Sequence, residues 1–141
     1  SIAVAESCTA GLIASKLTAL PGSSSFFKGG IVAYQNEIKT KILEVSQSII
    51  DEKTEVSAEV VKQMAQSILE KFDTNFAIAT TGYAGPAGGT NKNPIGTVFI
   101  AIASVVGVEV SRFVFLGNRQ SIVNQSYESA LSLLYNEIKK Q

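Results

Sequence analysis

The sequence predicts an α/β domain, a three-layer α/β/α sandwich with a mixed sheet of about five strands. Three observations lead there. Short apolar runs of strand length alternate with longer stretches whose apolar residues recur at helical spacing. Near the C-terminus the alternation gives way to two strand-like runs, GTVFIAIASV and VEVSRFVFL, joined around Gly107 as an antiparallel hairpin. Residues 1–141 contain no clear linker or repeat, so they read as one domain. A chain of this size buries roughly two-thirds of its unfolded surface, enough for one sizeable core.

Taken in order, Ile2 to Ala5 is a short buried strand, and a helix follows from Ser7 or Thr9 to Leu20, with Leu12, Ile13, Lys16 and Leu17 at helical spacing. Pro21 and Gly22 stop it, and three serines continue the loop. Gly29 to Tyr34 is the next strand, and NEIKTKILEV a helix with Asn36 as its cap. Ser57 caps a longer helix whose apolar stripe runs Val60, Val61, Met64, Ala65, Ile68, Leu69, Phe72. Phe76 to Thr80 is a buried strand, followed by the loop TGYAGPAGGTNKNPIG and the hairpin. A last helix from about Gln120 to Lys139 turns Val123, Tyr127, Ala130, Leu131, Leu134 and Ile138 inward.

Composition excludes several functions. Lys+Arg and Asp+Glu balance at 12 each, so no overall positive field draws nucleic acid. No apolar run approaches the ~18 residues that span a membrane. A single cysteine forbids an internal disulfide and suits a reducing compartment, which makes the expected location cytoplasmic. Ser1 leads straight into an apolar run without an initiator methionine, which reads as a piece of something longer. With no histidine, Ser-His-Asp and Cys-His catalysis and His-based zinc sites are out. A hydrolase built from this chain needs Lys, Asp, Glu or Tyr as its base, or a metal held by oxygens. The acidic residues Asp51, Glu52 and Glu55 read as a solvated loop and helix approach, so no metal and no cofactor is expected.

Four stretches carry chemistry. In AESCTAGL (5–12), a strand turning into a helix presents Ser7, Cys8 and Thr9 near free backbone N–H groups, with Gly11 permitting close approach. Ser7 is then a nucleophile, or Ser7 and Thr9 are simply helix caps. In YQNEIK (34–39), Lys39 sits in a first helical turn, where the dipole disfavours a cation. A partly desolvated lysine there serves as a base; a solvated one does nothing. TTGYAGPAGGT (80–90) fits neither the P-loop nor the dinucleotide fingerprint, yet such a long loop is uncommon without a function, and its amides suit an anion nest. In FLGNRQ (115–120), Arg119 opens a helix and suits a phosphate or carboxylate, or is an ordinary surface arginine.

With these stretches in order, the chain resembles the CinA C-terminal domain family, the nicotinamide-nucleotide amidohydrolases. AESCTAGL, PGSSSFFKGGIVAYQNEIK, VSAEVV with Met64-Ala65, TTGYAGPAGGT with NPIGTV, and FLGNR carry the resemblance over almost the whole chain. It implies hydrolysis of the carboxamide of nicotinamide mononucleotide to nicotinic acid mononucleotide and ammonia by a serine-lysine amidase. Ser7 would be the nucleophile, Lys39 its base, and Tyr34 would assist proton transfer or position the pair. Thr9, Gly11, Thr81, Gly82, Gly85, Gly88 and Gly89 would line the substrate site, and Arg119 would bind the substrate at its phosphate. N–H groups of the helix beginning near Thr9 would hold the oxyanion. The alternative is a non-catalytic nucleotide-binding or regulatory module of a larger CinA-type protein, fused to an N-terminal CinA domain. The family usually has a further helix before the first strand, absent here.

The sequence departs from the family pattern at Ala10, where a glycine is usual, and at Tyr83, where a smaller aliphatic stands. Glu44 replaces a glycine, Asn93 a common lysine, and no basic residue follows Arg119 in Ser121 to Gln125. None of these touches Ser7, Tyr34 or Lys39. The exposed hairpin edge makes a homodimer the expected assembly.

Overall fold

A computed structural model describes all 141 residues. Five strands form one sheet in the order β2-β1-β3-β4-β5. They are β1 (Ile2–Glu6), β2 (Phe27–Val32), β3 (Phe76–Gly82), β4 (Thr97–Ser104) and β5 (Gly107–Val114). β1 pairs in parallel with both β2 and β3, while β3, β4 and β5 run antiparallel to one another. The mixed sheet and the C-terminal hairpin are as the sequence predicts.

Strand parity builds the two cores. Ala3, Ala5, Ala77, Ala79, Ala101 and Ala103 face one side and pack with α4 (Ala58–Phe72). Ile2, Val4, Ile78, Ile100 and Ile102 face the other and pack with α1 (Leu12–Leu17) and α5 (Arg119–Lys140). Alanines let α4 lie close to the sheet, and larger side chains fill the opposite gap. α4 begins at its expected cap, with Ser57 Oγ accepting from Val60 N at 3.3 Å.

Several element boundaries move. α1 starts at Leu12, because Ala10 (φ 49°) and Gly11 (φ 95°) are both left-handed and cannot belong to a helix. Neither Ser7 nor Thr9 caps it. Glu6, on the same strand face as Ile2 and Val4, reaches under α1 instead. Its carboxylate accepts from Ile13 N at 2.9 Å and Ala14 N at 3.0 Å, and from Thr9 Oγ1 at 2.6 Å. β2 lies two residues earlier than Gly29–Tyr34, since its parallel register with β1 runs from Phe27 to Val32. α2 covers only Asn36–Lys41, its N-cap is Gln35 rather than Asn36, and Glu44 at φ 58° ends the helical path short of Val45. A further helix, α3 (Gln47–Lys53), stands where the sequence shows only a loop, with Ser46 Oγ accepting from Ile49 N. On α5 the buried positions are Ile122, Ser126, Ala130, Leu134 and Glu137, about one residue round from the expected face, and Ile138 is 42 % exposed.

Glu6 is 0 % exposed and serves three donors at once. Replacing it with alanine strands two helix amides and a buried hydroxyl. Glu6→Ala is therefore expected to lose about 3 kcal/mol or more of unfolding free energy in urea. Glu6→Gln, which keeps an acceptor of the same shape, is expected to lose less.

Candidate functional site

The site forms where β1, β2 and β3 end. β1 connects through α1 to β2 on one side, and β2 connects through α2, α3 and α4 to β3 on the other. The connections diverge at β1, leaving a crevice beyond the carboxyl ends of the strands, the usual place for a ligand in an open α/β sheet.

Ser7 is the first residue past β1, and a buried hydroxyl network fixes it. Ser7 N donates to Thr80 O at 3.1 Å and to Thr80 Oγ1 at 3.3 Å. Thr80 Oγ1 lies 2.9 Å from Thr9 Oγ1. Thr9 spends its only hydroxyl hydrogen on Glu6, so Thr80 must donate to Thr9 and accept from Ser7. A chain of bonds thus runs from the Glu6 carboxylate to the Ser7 amide.

Ser7 Oγ meets Lys39 Nζ at 3.0 Å. Lys39, on α2, is 1 % exposed and touches no carboxylate; its second contact is the Tyr34 carbonyl at 3.2 Å. Burial holds its pKa below the ordinary 10.5, while the nearby Glu55 carboxylate and, less strongly, Cys8 pull the other way. The lysine is thus shifted toward the neutral form that a base needs. Burial also pushes the Cys8 thiol up to about 12, which leaves it protonated and inert beside Ser7.

Tyr34 is placed differently from a proton-transfer partner. Its hydroxyl accepts from Arg119 Nη2 at 2.9 Å, and only its backbone carbonyl reaches Lys39. Arg119 Nη1 donates to Gly85 O at 2.7 Å, so the arginine joins the end of β2 to the β3–β4 loop. Three of its five N–H donors stay free.

These groups open on a cavity of about 360 Å³. Ser7, Tyr34, Lys39, Thr81, Gly82, Gly85 and Arg119 all line it. Gly82 is bare because a Cβ there would stand 2.7 Å from the Thr97 carbonyl. Thr9, Gly11, Gly88 and Gly89 do not line it. Thr9 is buried beneath Ser7 in the hydroxyl network, and Gly11 packs against Val32. Gly88 backs onto the Tyr83 ring, and Gly89 onto Ile95. Nor do the α1 amides face the site: Ile13 and Ala14 donate to Glu6, and Leu12 to Thr9 O. The amides of Cys8 and Thr9, directly after Ser7, take no protein acceptor.

One pocket residue is invisible to sequence reasoning. Glu55 lines the cavity, whereas Asp51 accepts from Gln47 and Glu52 faces Lys53, so the three acids do not converge. The chain is turned inward by Thr54 at φ 69° and by Thr81 Oγ1, which donates to Glu55 O at 2.7 Å from 26 residues away. Asn93 and Arg112 form a separate cluster, with Arg112 Nη2 to Asn93 Oδ1 at 3.2 Å. No helix is long and apolar enough to cross a membrane.

Comparison with known proteins assigns the fold. The family model of the CinA C-terminal domain matches residues 1–138. The chain belongs to the CinA C-terminal domain family. It is 46% identical over 140 residues to a CinA-like protein of Flavobacterium psychrophilum, covering 99% of this chain and 34% of that one. It is 43% identical over 141 residues to a putative competence-damage inducible protein of Moorella thermoacetica, again 34% of the longer protein. The chain thus spans about a third of these relatives. Among solved structures, competence damage-inducible protein A of Klebsiella pneumoniae superposes with a TM-score of 0.94 at 33% identity, covering 98% of this chain and 86% of that one. A competence/damage inducible protein of Agrobacterium tumefaciens gives 0.93 at 36% identity, covering 96% and 83%.

Lys39 has a stability signature. Below 10.5 the unfolded lysine is charged, so folding must either bury an ammonium or release its proton. Both oppose folding, and the penalty fades as pH rises toward 10.5. Lys39→Met is expected to unfold at higher denaturant than the parent near neutrality, with the gap closing at alkaline pH.

Proposed function

We propose that this CinA C-terminal domain is a serine-lysine amidase that hydrolyses the carboxamide of nicotinamide mononucleotide, with no metal in the reaction. The observation that carries the reading is the 3.0 Å contact between Ser7 Oγ and a buried Lys39 that lacks a carboxylate partner. A neutral Lys39 keeps one N–H on the Tyr34 carbonyl and turns its lone pair to the Ser7 hydroxyl.

In the first half-reaction Ser7 Oγ attacks the carboxamide carbon and its proton passes to Lys39. The tetrahedral oxyanion is held by the free amide of Cys8, which lines the cavity, a contribution of ~3 kcal/mol per donor in comparable sites. The intermediate collapses as Lys39 returns the proton to the leaving nitrogen, and ammonia departs from a seryl ester. Water then attacks the ester with Lys39 again as base, releasing the carboxylic acid and restoring Ser7. Arg119 takes the phosphate with its free donors. Tyr34 positions Lys39 through its carbonyl and Arg119 through its hydroxyl. The cavity size falls in the range of small-molecule sites, about 300–1,000 Å³.

Incubation with nicotinamide mononucleotide should release ammonia, and Ser7→Ala should lower kcat by about a thousandfold or more with the fold intact. Wild-type kcat/KM should rise with pH through the Lys39 ionisation, because only the neutral amine accepts the serine proton. Ligand-induced thermal stabilisation without any ammonia release would replace the amidase with a nucleotide-binding module. Arg119→Gln should raise KM by about tenfold, with the smaller change in kcat.

A further inference from the structure

The pocket holds three ionisable side chains of lysine, arginine and glutamate, and two of them are engaged. Lys39 Nζ contacts Ser7 Oγ and the Tyr34 carbonyl. Arg119 contacts the Gly85 carbonyl and the Tyr34 hydroxyl. The third, Glu55, is half-buried, and its carboxylate enters no hydrogen bond and no ion pair. Its backbone is nevertheless held tightly: Thr81 Oγ1 grips its carbonyl at 2.7 Å, and Asn93 Nδ2 grips the next carbonyl, that of buried Val56, at 3.3 Å. An acceptor-only group is thus held on a fixed main chain at the wall of the pocket with nothing to accept.

A primary carboxamide brings two N–H donors along with the carbonyl that reacts. The Cys8 amide after Ser7 suits the carbonyl oxygen, but it cannot serve the nitrogen. The pocket carbonyls of Tyr34, Glu55 and Gly85 each already accept one bond, from Lys39, Thr81 and Arg119, and Glu55 is the only acid lining the pocket. An ionised carboxylate accepts and never donates. The reaction product is itself a carboxylate, without an N–H and with a negative charge. A site with a buried acceptor for N–H discriminates sharply against an analogue that lacks it, and like charges placed together add a repulsive element.

We infer that Glu55 selects a primary carboxamide over the corresponding acid, accepting an N–H of the bound amide and repelling the carboxylate once ammonia has left. The inference rests on the amidase reading and names the group that gives it direction. Glu55 also favours the charged Lys39 that exists while the serine proton is on the amine. The other charged or titratable groups that line the pocket are the Cys8 thiol, the Tyr34 phenol, the Tyr83 phenol and the Arg119 guanidinium.

The test separates preference from turnover. Calorimetric affinities for nicotinamide mononucleotide and nicotinic acid mononucleotide are measured on Ser7→Ala and on Ser7→Ala with Glu55→Gln. The preference for amide over acid is expected to fall about tenfold when the charge is removed. In the active protein, Glu55→Gln is expected to tighten product inhibition by a similar factor and to move the acid limb of kcat/KM to lower pH. An amide-to-acid ratio within about twofold of the parent overturns the role of Glu55, whatever the pH profile does. Absence of turnover in the wild type overturns the amidase reading alone, because the affinity ratio is read without turnover. If neither mononucleotide binds, both fall.

Discussion

Lys39 is buried to 1 % exposure with no carboxylate in contact, and the chemistry of the site depends on that arrangement. A lysine in water is charged and useless as a base. Taking it out of water without a counter-ion penalises the ammonium, because desolvation weighs only on the charged form. What remains for the amine is a hydroxyl at 3.0 Å and a carbonyl at 3.2 Å, partners suited to a neutral amine. Glu55 stands within electrostatic reach but not in contact, which moderates the shift without cancelling it. In the proposed reaction of a chain without histidine, burial takes the part that the intrinsic pKa of imidazole plays elsewhere.

In the proposed reaction a base is useful only if the nucleophile is held still, and a buried carboxylate, that of Glu6, does that. Glu6 lies on the isoleucine-and-valine face of β1, directly beneath α1, and supplies the cap that the short helix lacks. The same carboxylate takes the Thr9 proton, which fixes the direction of the Thr9–Thr80 bond and so leaves Thr80 to accept from Ser7. Strand parity, helix capping and nucleophile placement are one set of hydrogen bonds. The left-handed turn at Ala10 and Gly11 delays α1 to Leu12, and the Cys8 and Thr9 amides ahead of it take no protein acceptor.

Much of this was legible in the sequence, and the failures have local causes. Alternating strand and helix periods identified the sheet, the hairpin and α4, because those elements bury whole faces. The absence of histidine, a lysine early in a helix and an unusually long glycine loop pointed to Ser7 and Lys39. Resemblance to the family tied the blocks together. The cap of α1 is not legible in AESCTAGL because a strand glutamate, not a nearby hydroxyl, supplies it, and nothing in that stretch distinguishes the two. The resemblance implies a substrate-lining role for Gly88 and Gly89, whereas in the structure their missing side chains make room for Tyr83 and Ile95. Glu55 reads as a solvated acid in the sequence because the contact that turns its backbone inward comes from Thr81, a whole helix later.

The central claim is that burial alone makes Lys39 the base for Ser7. The most direct measurement is an NMR pH titration of the lysine side-chain amines, with Lys39 assigned by its loss in Lys39→Met. The account predicts that Lys39 loses its proton at lower pH than the exposed lysines of the same chain. Titration together with them, near the ordinary 10.5, would contradict it.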